Sequence, residues 1–402
     1  MDVKCAFLNG DLTEEIYMQQ PQGFSTNPSL VCRLRKSLYG LKQAPRAWYA
    51  KIDSFLLSLN FVRCKSDSNV YLKVINGSLM IIVLYVDDLL ITGSSQAEIA
   101  SLKGAMNQAF SMTDLGLLSQ FLGLEISQTK SGIKVHQSKY ALDLLIKFKM
   151  QDCKASKTPF LSGVKLEEDD SPPMVNNTLY RQLIGCLLYL THTRPDLCYA
   201  VSVASRFMDQ PHEIHWKAAK RILSFVQGTR THGIFYKANS DLELIGFTDS
   251  DWAGDSTDRK STSGYVFMLA EGPISWSSKK QSAIALSSTE AEYRGVVNAV
   301  TQCLWLQGLL GECGFEPEYS TTIYCDNQST IRICKDPVQK QRTRHIEIHM
   351  HYIRELVHDG TIHLLFCSSS EQVADIFTKS FCEKTFSNLK SLLGIADHAV
   401  KA

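Results

Sequence analysis

The stretch MIIVLYVDDLLITG, residues 80–93, sets two adjacent carboxylates, Asp87 and Asp88, between two short runs of aliphatic and β-branched residues. Apolar runs this short, bounded by polar residues or glycine, read as buried strands rather than helices, here Leu79 to Val86 and Leu89 to Thr92. The aspartate pair then falls at the tip of a hairpin. Like charges a few ångströms apart raise each other's pKa and cost stability unless a cation lies between them. The rest of the chain must supply a reason for keeping them.

The pattern along the chain separates into regions. Residues 1 to about 150 mix short strands and helices, with a helix near 96–110, strands at 121–127 and 132–136, and a helix over 138–148. The polar segment 162–178 carries Pro172 and Pro173 and reads as an exposed linker. Helical patterns follow at 178–190, 195–208 and 211–227. From Leu242 the order becomes strand 242–250, strand 263–270, a short strand 274–277, a long helix 287–310, strand 321–326, helices near 328–335 and 344–358, strand 361–367 and a last helix from about 371. Hairpin strands followed by alternating helices and strands predict an α/β domain with a mixed sheet. The domains expected are 1–160, 161–240 (linker and helical connection), 241–380 and a tail, 381–402.

A chain of 402 residues with 44% apolar content is long enough for two to three domains. No apolar run approaches the ~20 residues that cross a bilayer, and the start, Met1-Asp2-Val3-Lys4, lacks a signal-peptide layout, so no membrane partner and an intracellular location are expected. Twelve cysteines without a Cys-x-x-Cys pair indicate neither a zinc knuckle nor a disulfide framework. A net charge of +1 means that any nucleic-acid site must come from local clustering. Between Glu15 and Asp53 no acidic residue occurs, while Arg33, Arg35, Lys36, Lys42, Arg46 and Lys51 are interleaved with Tyr17, Phe24, Tyr39, Trp48 and Tyr49. Cations for phosphates and flat rings for bases suit a nucleic-acid groove, and equally a solvated basic face over core aromatics.

MDVKCAFLNGDL at the start, SLYGLKQAPRAWY at 37–49 and Tyr85-Val86-Asp87-Asp88, in this order, resemble the palm of a reverse transcriptase of the copia type of retrotransposon, with EEIYMQQPQGF and FLGLEI extending the match. The resemblance implies a palm and thumb over 1–160 and RNA-directed DNA synthesis on an RNA template from a DNA primer and dNTPs. Two Mg²⁺ per site, with Mn²⁺ as an alternative, activate the primer 3′-hydroxyl and steady the pyrophosphate. It makes Asp2 and Asp87 the principal metal ligands, with Asp88 assisting. Phe7 matches a steric gate against the ribonucleotide 2′-hydroxyl, and Gln43 a loop lining nucleotide and template, although Gln43 also suits a plain helix N-terminus. Lys42 and Arg46 fall to the nucleic acid. In the family a strand and a fingers region precede the first aspartate; with Asp2 as the second residue, the polymerase half is expected to be impaired by truncation.

LIGFTDSDWAG, SSTEAEYRGVVNAV, TIYCDNQS and SEQVADIFTK resemble the ribonuclease H that follows the reverse transcriptase in copia-type elements, a match extended by RKSTSGYVFML and ISWSSKKQ. The resemblance implies that Asp249, Glu292, Asp326 and Asp375 hold two Mg²⁺ against the RNA strand of an RNA–DNA hybrid, with Asp375 on the last helix. Asp251 competes with Asp249, and the family pattern favours the residue after Thr248. Ser287 and Glu290 have capping-box spacing, which gives Glu290 a structural use. His345 and His349 stand four apart without a third ligand placed by spacing, so Lys340, Arg342 and Arg344 nearby read as phosphate contacts. In the connecting region Arg206, Lys217, Lys220 and Arg221 either guide the hybrid or cover helices. The fold expected is α/β (α+β), a palm/thumb-like domain followed by a ribonuclease H-like mixed sheet, with residues from about 240 to 385 expected to act alone. The alternatives are a ribonuclease H only, or a non-enzymatic nucleic-acid-binding remnant. The sequence leaves the oligomeric state open.

Overall fold

The computed structural model describes the chain apart from residues 26, 28, 167–175, 316–319, 336–346 and 398–402. It divides into two compact units, Met1–Leu118 with Gln307–Glu316, and Ser119–Leu306 with Pro317–Ala402. This division does not follow the boundaries at 160 and 240 drawn from the sequence.

The first unit is built on the hairpin of Ser78–Tyr85 and Asp88–Gly93, within one residue of the sequence expectation. It lies inside a six-stranded sheet ordered Val62–Arg63, Val70–Ile75, Ser78–Tyr85, Asp88–Gly93, Asp2–Val3 and Met112–Thr113. Alternation along Ser78–Tyr85 sends Met80, Ile82 and Leu84 into the core. There they meet Trp48, Ile52 and Leu56 of the helix Ala44–Ser58 and Met106 of the helix Gln96–Ala109. Pro45 near the start of Ala44–Ser58 sits where its missing N–H is not needed.

The second unit holds two five-stranded sheets. One runs Ile395–Ala396, Gly233–Lys237, Gly132–His136, Leu124–Thr129 and Gln120–Phe121. The other runs Gly272–Lys280, Thr262–Leu269, Ile245–Ser250, Thr321–Cys325 and Ile362–Phe366. Its first three strands are antiparallel and its last three parallel, the mixed sheet that the sequence predicts. The strand expected at 274–277 is longer, Gly272–Lys280, because it pairs along the whole of Thr262–Leu269. Strand Gly233–Lys237 has no counterpart in the sequence reading. Its partners lie far away in the chain, Gly132–His136 and Ile395–Ala396.

The helices Asn177–Leu190, Cys198–Ser205 and Glu213–Gly228 bury Leu187, Val201 and Val226 in one cluster with Val266, Val373 and Phe377. The C-terminal segment is no free tail. Helix Glu383–Leu392 buries Phe386 and Leu389 in the same cluster, joined by Leu393 and Ile395. Arg194, 1% exposed, forks onto both oxygens of Asp196 at 2.9 and 2.8 Å and donates to Thr229 O at 2.7 Å, so a fully buried charge has its partners.

Candidate active sites

The acids of the mixed sheet meet because of strand direction. Ile245–Ser250 and Thr321–Cys325 run parallel with Phe247 opposite Tyr324, so Asp249 and Asp326, each two residues further on, emerge at the same edge. Asp375 arrives from a 3-10 turn, Val373–Phe377, rather than from a helix beginning near 371. The turn is pinned from two sides: buried Gln372 donates to Thr248 O at 3.0 Å, and Ser278 Oγ donates to Phe377 O at 2.6 Å. Gly264 lets it come close, since a Cβ there would stand 2.5 Å from Phe377 Cβ. Ligand oxygens of Asp249, Asp326 and Asp375 lie within 4.8 Å of one another.

Glu292 is brought in by the long helix Ser288–Glu312. Gly295, one turn on, faces the strand that carries Asp249; a Cβ there would stand 2.6 Å from Ser250 Oγ and 3.2 Å from Thr248 Oγ1. A side chain at this position would push the helix, and Glu292 with it, off the sheet. Glu292 is buried and groups with Cys325 and Asp326 at the same 4.8 Å spacing. Glu290 turns away: its carboxylate accepts from Leu286 N at 2.9 Å and pairs with Arg294 at 2.7 Å, while its own N–H donates to Ser287 Oγ at 3.2 Å. The capping is reciprocal as the spacing predicts, but the carboxylate reaches one residue beyond the N-cap backbone. Asp251 is not among the converging acids; its carboxylate accepts from Thr262 N, and burial raises it to about 6.

Burial, then the charges of Asp249 and Asp326, pushes the Glu292 carboxyl up to about 10. Burial and Asp249 raise Asp375 to about 7, and the same two causes raise Asp326. Two side chains that the sequence reading passed over answer this repulsion. Thr378 Oγ1 donates to Asp249 Oδ2, and Lys379 Nζ lies 2.8 Å from Asp375 Oδ1 and 3.7 Å from Asp249 Oδ2. Burial lowers the Lys379 pKa, but Asp249 and Asp375 outweigh it and leave the ammonium above its ordinary range. Both residues follow Asp375 within one turn, so the motif that carried Asp375 also held them. Four convergent carboxylates, of which Glu292, Asp326 and Asp375 are raised by burial and by neighbouring charge, are a donor set that fits hard divalent cations.

In the first unit Asp2 lies directly opposite Asp88 across the antiparallel pair, and Val3 N donates to Asp87 O at 2.8 Å. Burial, Asp87 and Asp2 raise the Asp88 carboxyl. The hairpin tip is strained: Val86 has φ 53, a left-handed value that a β-branched residue rarely adopts. Trp48 Nε1 donates to Val86 O at 2.6 Å and holds the turn. Trp48 is therefore a buried core ring and not part of an open groove. Phe7 stacks obliquely on Tyr39 with centroids 4.6 Å apart. Burial first, then Asp87, raises the Tyr39 pKa. Gln43 is the N-cap residue of Ala44–Ser58 and makes no side-chain capping bond.

The cations divide. Lys42 and Arg46 are exposed, whereas Arg33 pairs with Glu15 and Lys51 with Asp11, each at 2.8 Å. Arg221 donates to Thr158 Oγ1 at 3.1 Å and braces a loop against its helix, and Lys220 lies 5.7 Å from the centre of the Trp216 ring. Arg206 donates to Asp255 and Thr262. Lys340, Arg342, Arg344 and His345, with the side chain of His349, fall outside the described residues, as does most of the expected linker.

A hairpin-borne aspartate pair in a six-stranded sheet and a mixed sheet rimmed by four acids, in one chain, are the features expected of the reverse-transcriptase family with a ribonuclease H-like sheet behind it. A family model described as reverse transcriptase (RNA-dependent DNA polymerase) matches residues 1–162. The chain is 41% identical over 397 residues to the retrovirus-related Pol polyprotein from transposon RE2 of Arabidopsis thaliana, covering 98% of this chain and 27% of that protein. It is 37% identical over 298 residues to a putative transposon Ty5-1 protein of Saccharomyces cerevisiae, covering 73% of this chain and 97% of that one. The chain belongs to the Pol family of copia-type retrotransposons. It spans about a quarter of the length of the curated Pol polyproteins it matches. The foamy viral protease-reverse transcriptase in complex with dsDNA aligns with a TM-score of 0.44 at 11% identity, over 90% of this chain and 70% of that one. At that level of likeness the fold rests on the strand topology given above.

Proposed function

We propose that the second unit hydrolyses the RNA strand of an RNA–DNA hybrid and that the first carries RNA-directed DNA synthesis from a DNA primer, an RNA template and dNTPs. The observation that carries the reading is the convergence of Asp249, Asp326 and Asp375 within 4.8 Å, with Glu292 beside them. Two Mg²⁺ ions, or Mn²⁺, held by these four carboxylates would polarise the phosphate and supply a nucleophilic water. The chain's own part is positioning. Parallel strands bring Asp249 and Asp326 to one edge, Gly295 seats the helix that carries Glu292, and Gln372 and Thr378 hold the turn of Asp375 and one oxygen of Asp249. In the first unit, Asp2, Asp87 and Asp88 are the residues that would hold the polymerase ions, Phe7 would face the nucleotide sugar, Gln43 would line the nucleotide, and Lys42 and Arg46 would take nucleic-acid phosphates.

The test is cleavage of labelled RNA in a hybrid by the full chain with Mg²⁺ and with EDTA, beside primer extension on an RNA template. Asp249→Asn or Asp326→Asn should lower cleavage by orders of magnitude and spare extension, and Asp87→Asn should do the reverse. Cleavage that survives both single substitutions overturns the site. A second reading, ribonuclease H alone, is favoured by one observation. Among the described residues, both groups of three close metal-ligating atoms lie in the second unit. Cleavage without extension selects it, and nucleic-acid binding without either reaction selects a remnant.

A further inference from the structure

Lys379 stands where a cation bound by the acid cluster would stand. Its Nζ lies 2.8 Å from Asp375 Oδ1 and 3.7 Å from Asp249 Oδ2, two of the three carboxylates whose oxygens converge within 4.8 Å. The two sides of this contact differ in freedom. The Asp249 and Asp375 side chains are 3% and 6% exposed and fixed by Thr378 and the Val373–Phe377 turn, whereas the Lys379 side chain is 42% exposed on a flexible stem. The ammonium can withdraw into water, and the carboxylates cannot follow it. An ammonium and a divalent ion on the same oxygens repel each other, in a pocket where water screens them poorly.

We propose that Lys379 and a divalent cation compete for Asp249 and Asp375, so that Lys379 is a positioning residue that sets the metal affinity of the cluster. This rests on reading the cluster as a metal site. A lysine that merely braces the turn would act with the opposite sign, since its loss would loosen the carboxylates and weaken metal binding.

The experiment uses the full chain carrying Asp87→Asn and Asp88→Asn, so that one site reports, and titrates Mn²⁺ while following the free ion by electron paramagnetic resonance. Lys379→Met should tighten Mn²⁺ binding about tenfold and lower the melting temperature in EDTA. Lys379→Gln should move both in the same directions, and Lys379→Arg should leave the affinity near that of the parent. Unchanged or weaker Mn²⁺ binding in both Lys379→Met and Lys379→Gln overturns the competition. Asp249→Asn separates the two levels. If it abolishes binding while Lys379→Met has no effect, only the competition fails; if binding survives Asp249→Asn, the metal-site reading fails with it.

Discussion

At the scale of residues, two glutamates two positions apart have opposite uses. Glu290→Gln weakens a helix start and an ion pair with Arg294, and should cost about 0.5–2 kcal/mol in thermal or denaturant unfolding while leaving hybrid cleavage intact. Glu292→Gln should abolish cleavage and leave the metal-free fold as stable or more so, because it removes a carboxyl that is buried against other acids. The opposite pattern would exchange the two assignments. The same crowding fixes a pH dependence. Glu292 and Asp375 have folded-state values of about 10 and about 7, above their ordinary 4.5 and 3.8, so over this range these two carboxyls bind more protons in the folded chain than in the unfolded one, while the Met1 ammonium, lowered from 8.0 by burial, acts in the opposite sense. Stability in EDTA should therefore fall as pH rises from 6.5 to 8.5, the Asp375 part ending near 7 and the Glu292 part continuing. His232, held by burial near 4, acts only below its ordinary 6.5 and stays outside this window. Added Mg²⁺ should flatten the fall, since the ion favours the ionised carboxylates; a melting temperature equally steep in pH with and without Mg²⁺ would refute the coupling. The acids that meet here were legible from their motifs, because acids after strands and at a helix start share a sheet edge. Thr378, Lys379 and Gln372 were not, since each acts through a turn whose seat is set by a strand more than a hundred residues away.

At the scale of elements, period and length found the hairpin at 78–93 and most elements after it, while the helix Ala44–Ser58 and the strands Tyr17–Gln19, Val31–Arg33 and Val70–Ile75 had no specific expectation. Gly233–Lys237 and Ile395–Ala396 are short, and each pairs with strands remote in the chain. Local pattern carries no trace of such pairing, so 381–402 read as a tail. Helix Glu383–Leu392 instead buries Phe386 and Leu389, and Phe386 packs edge-on to Phe225 with centroids 5.5 Å apart. Leu393→Ala, at a fully buried position, should destabilise the second unit by about 2–5 kcal/mol in denaturant unfolding. A loss below about 0.5 kcal/mol, the level of ordinary surface substitutions, would mean that the C-terminal segment is loosely attached.

At the scale of the molecule, the segment from about 240 to 385 holds a whole five-stranded sheet and all four acids, which is why sequence alone makes it self-sufficient. The packing argues otherwise. Val266, Val373, Ile376 and Phe377 sit in one continuous core with Leu144, Leu187, Leu197 and Val201, all of which lie outside that segment. Gly272 is so close to the neighbouring sheet that a Cβ would stand 2.7 Å from the Tyr236 ring, and Tyr236 donates to Pro273 O at 2.8 Å. Cutting at 240 and 385 uncovers those side chains at about 1.5–3 kcal/mol each. A domain holds only about 5–15 kcal/mol in all, so four such losses suffice to unfold it. The excised 240–385 segment should therefore aggregate or melt without cooperativity and should not cleave a hybrid. A segment from 119 to 402 keeps the whole core and should show a cooperative melt and Mg²⁺-dependent cleavage that Asp249→Asn removes. Solubility, circular-dichroism melts and hybrid cleavage of the two segments side by side decide the matter. A cooperative melt with cleavage in 240–385 alone would show that the shared core is dispensable and that the ribonuclease H-like sheet is a domain in its own right.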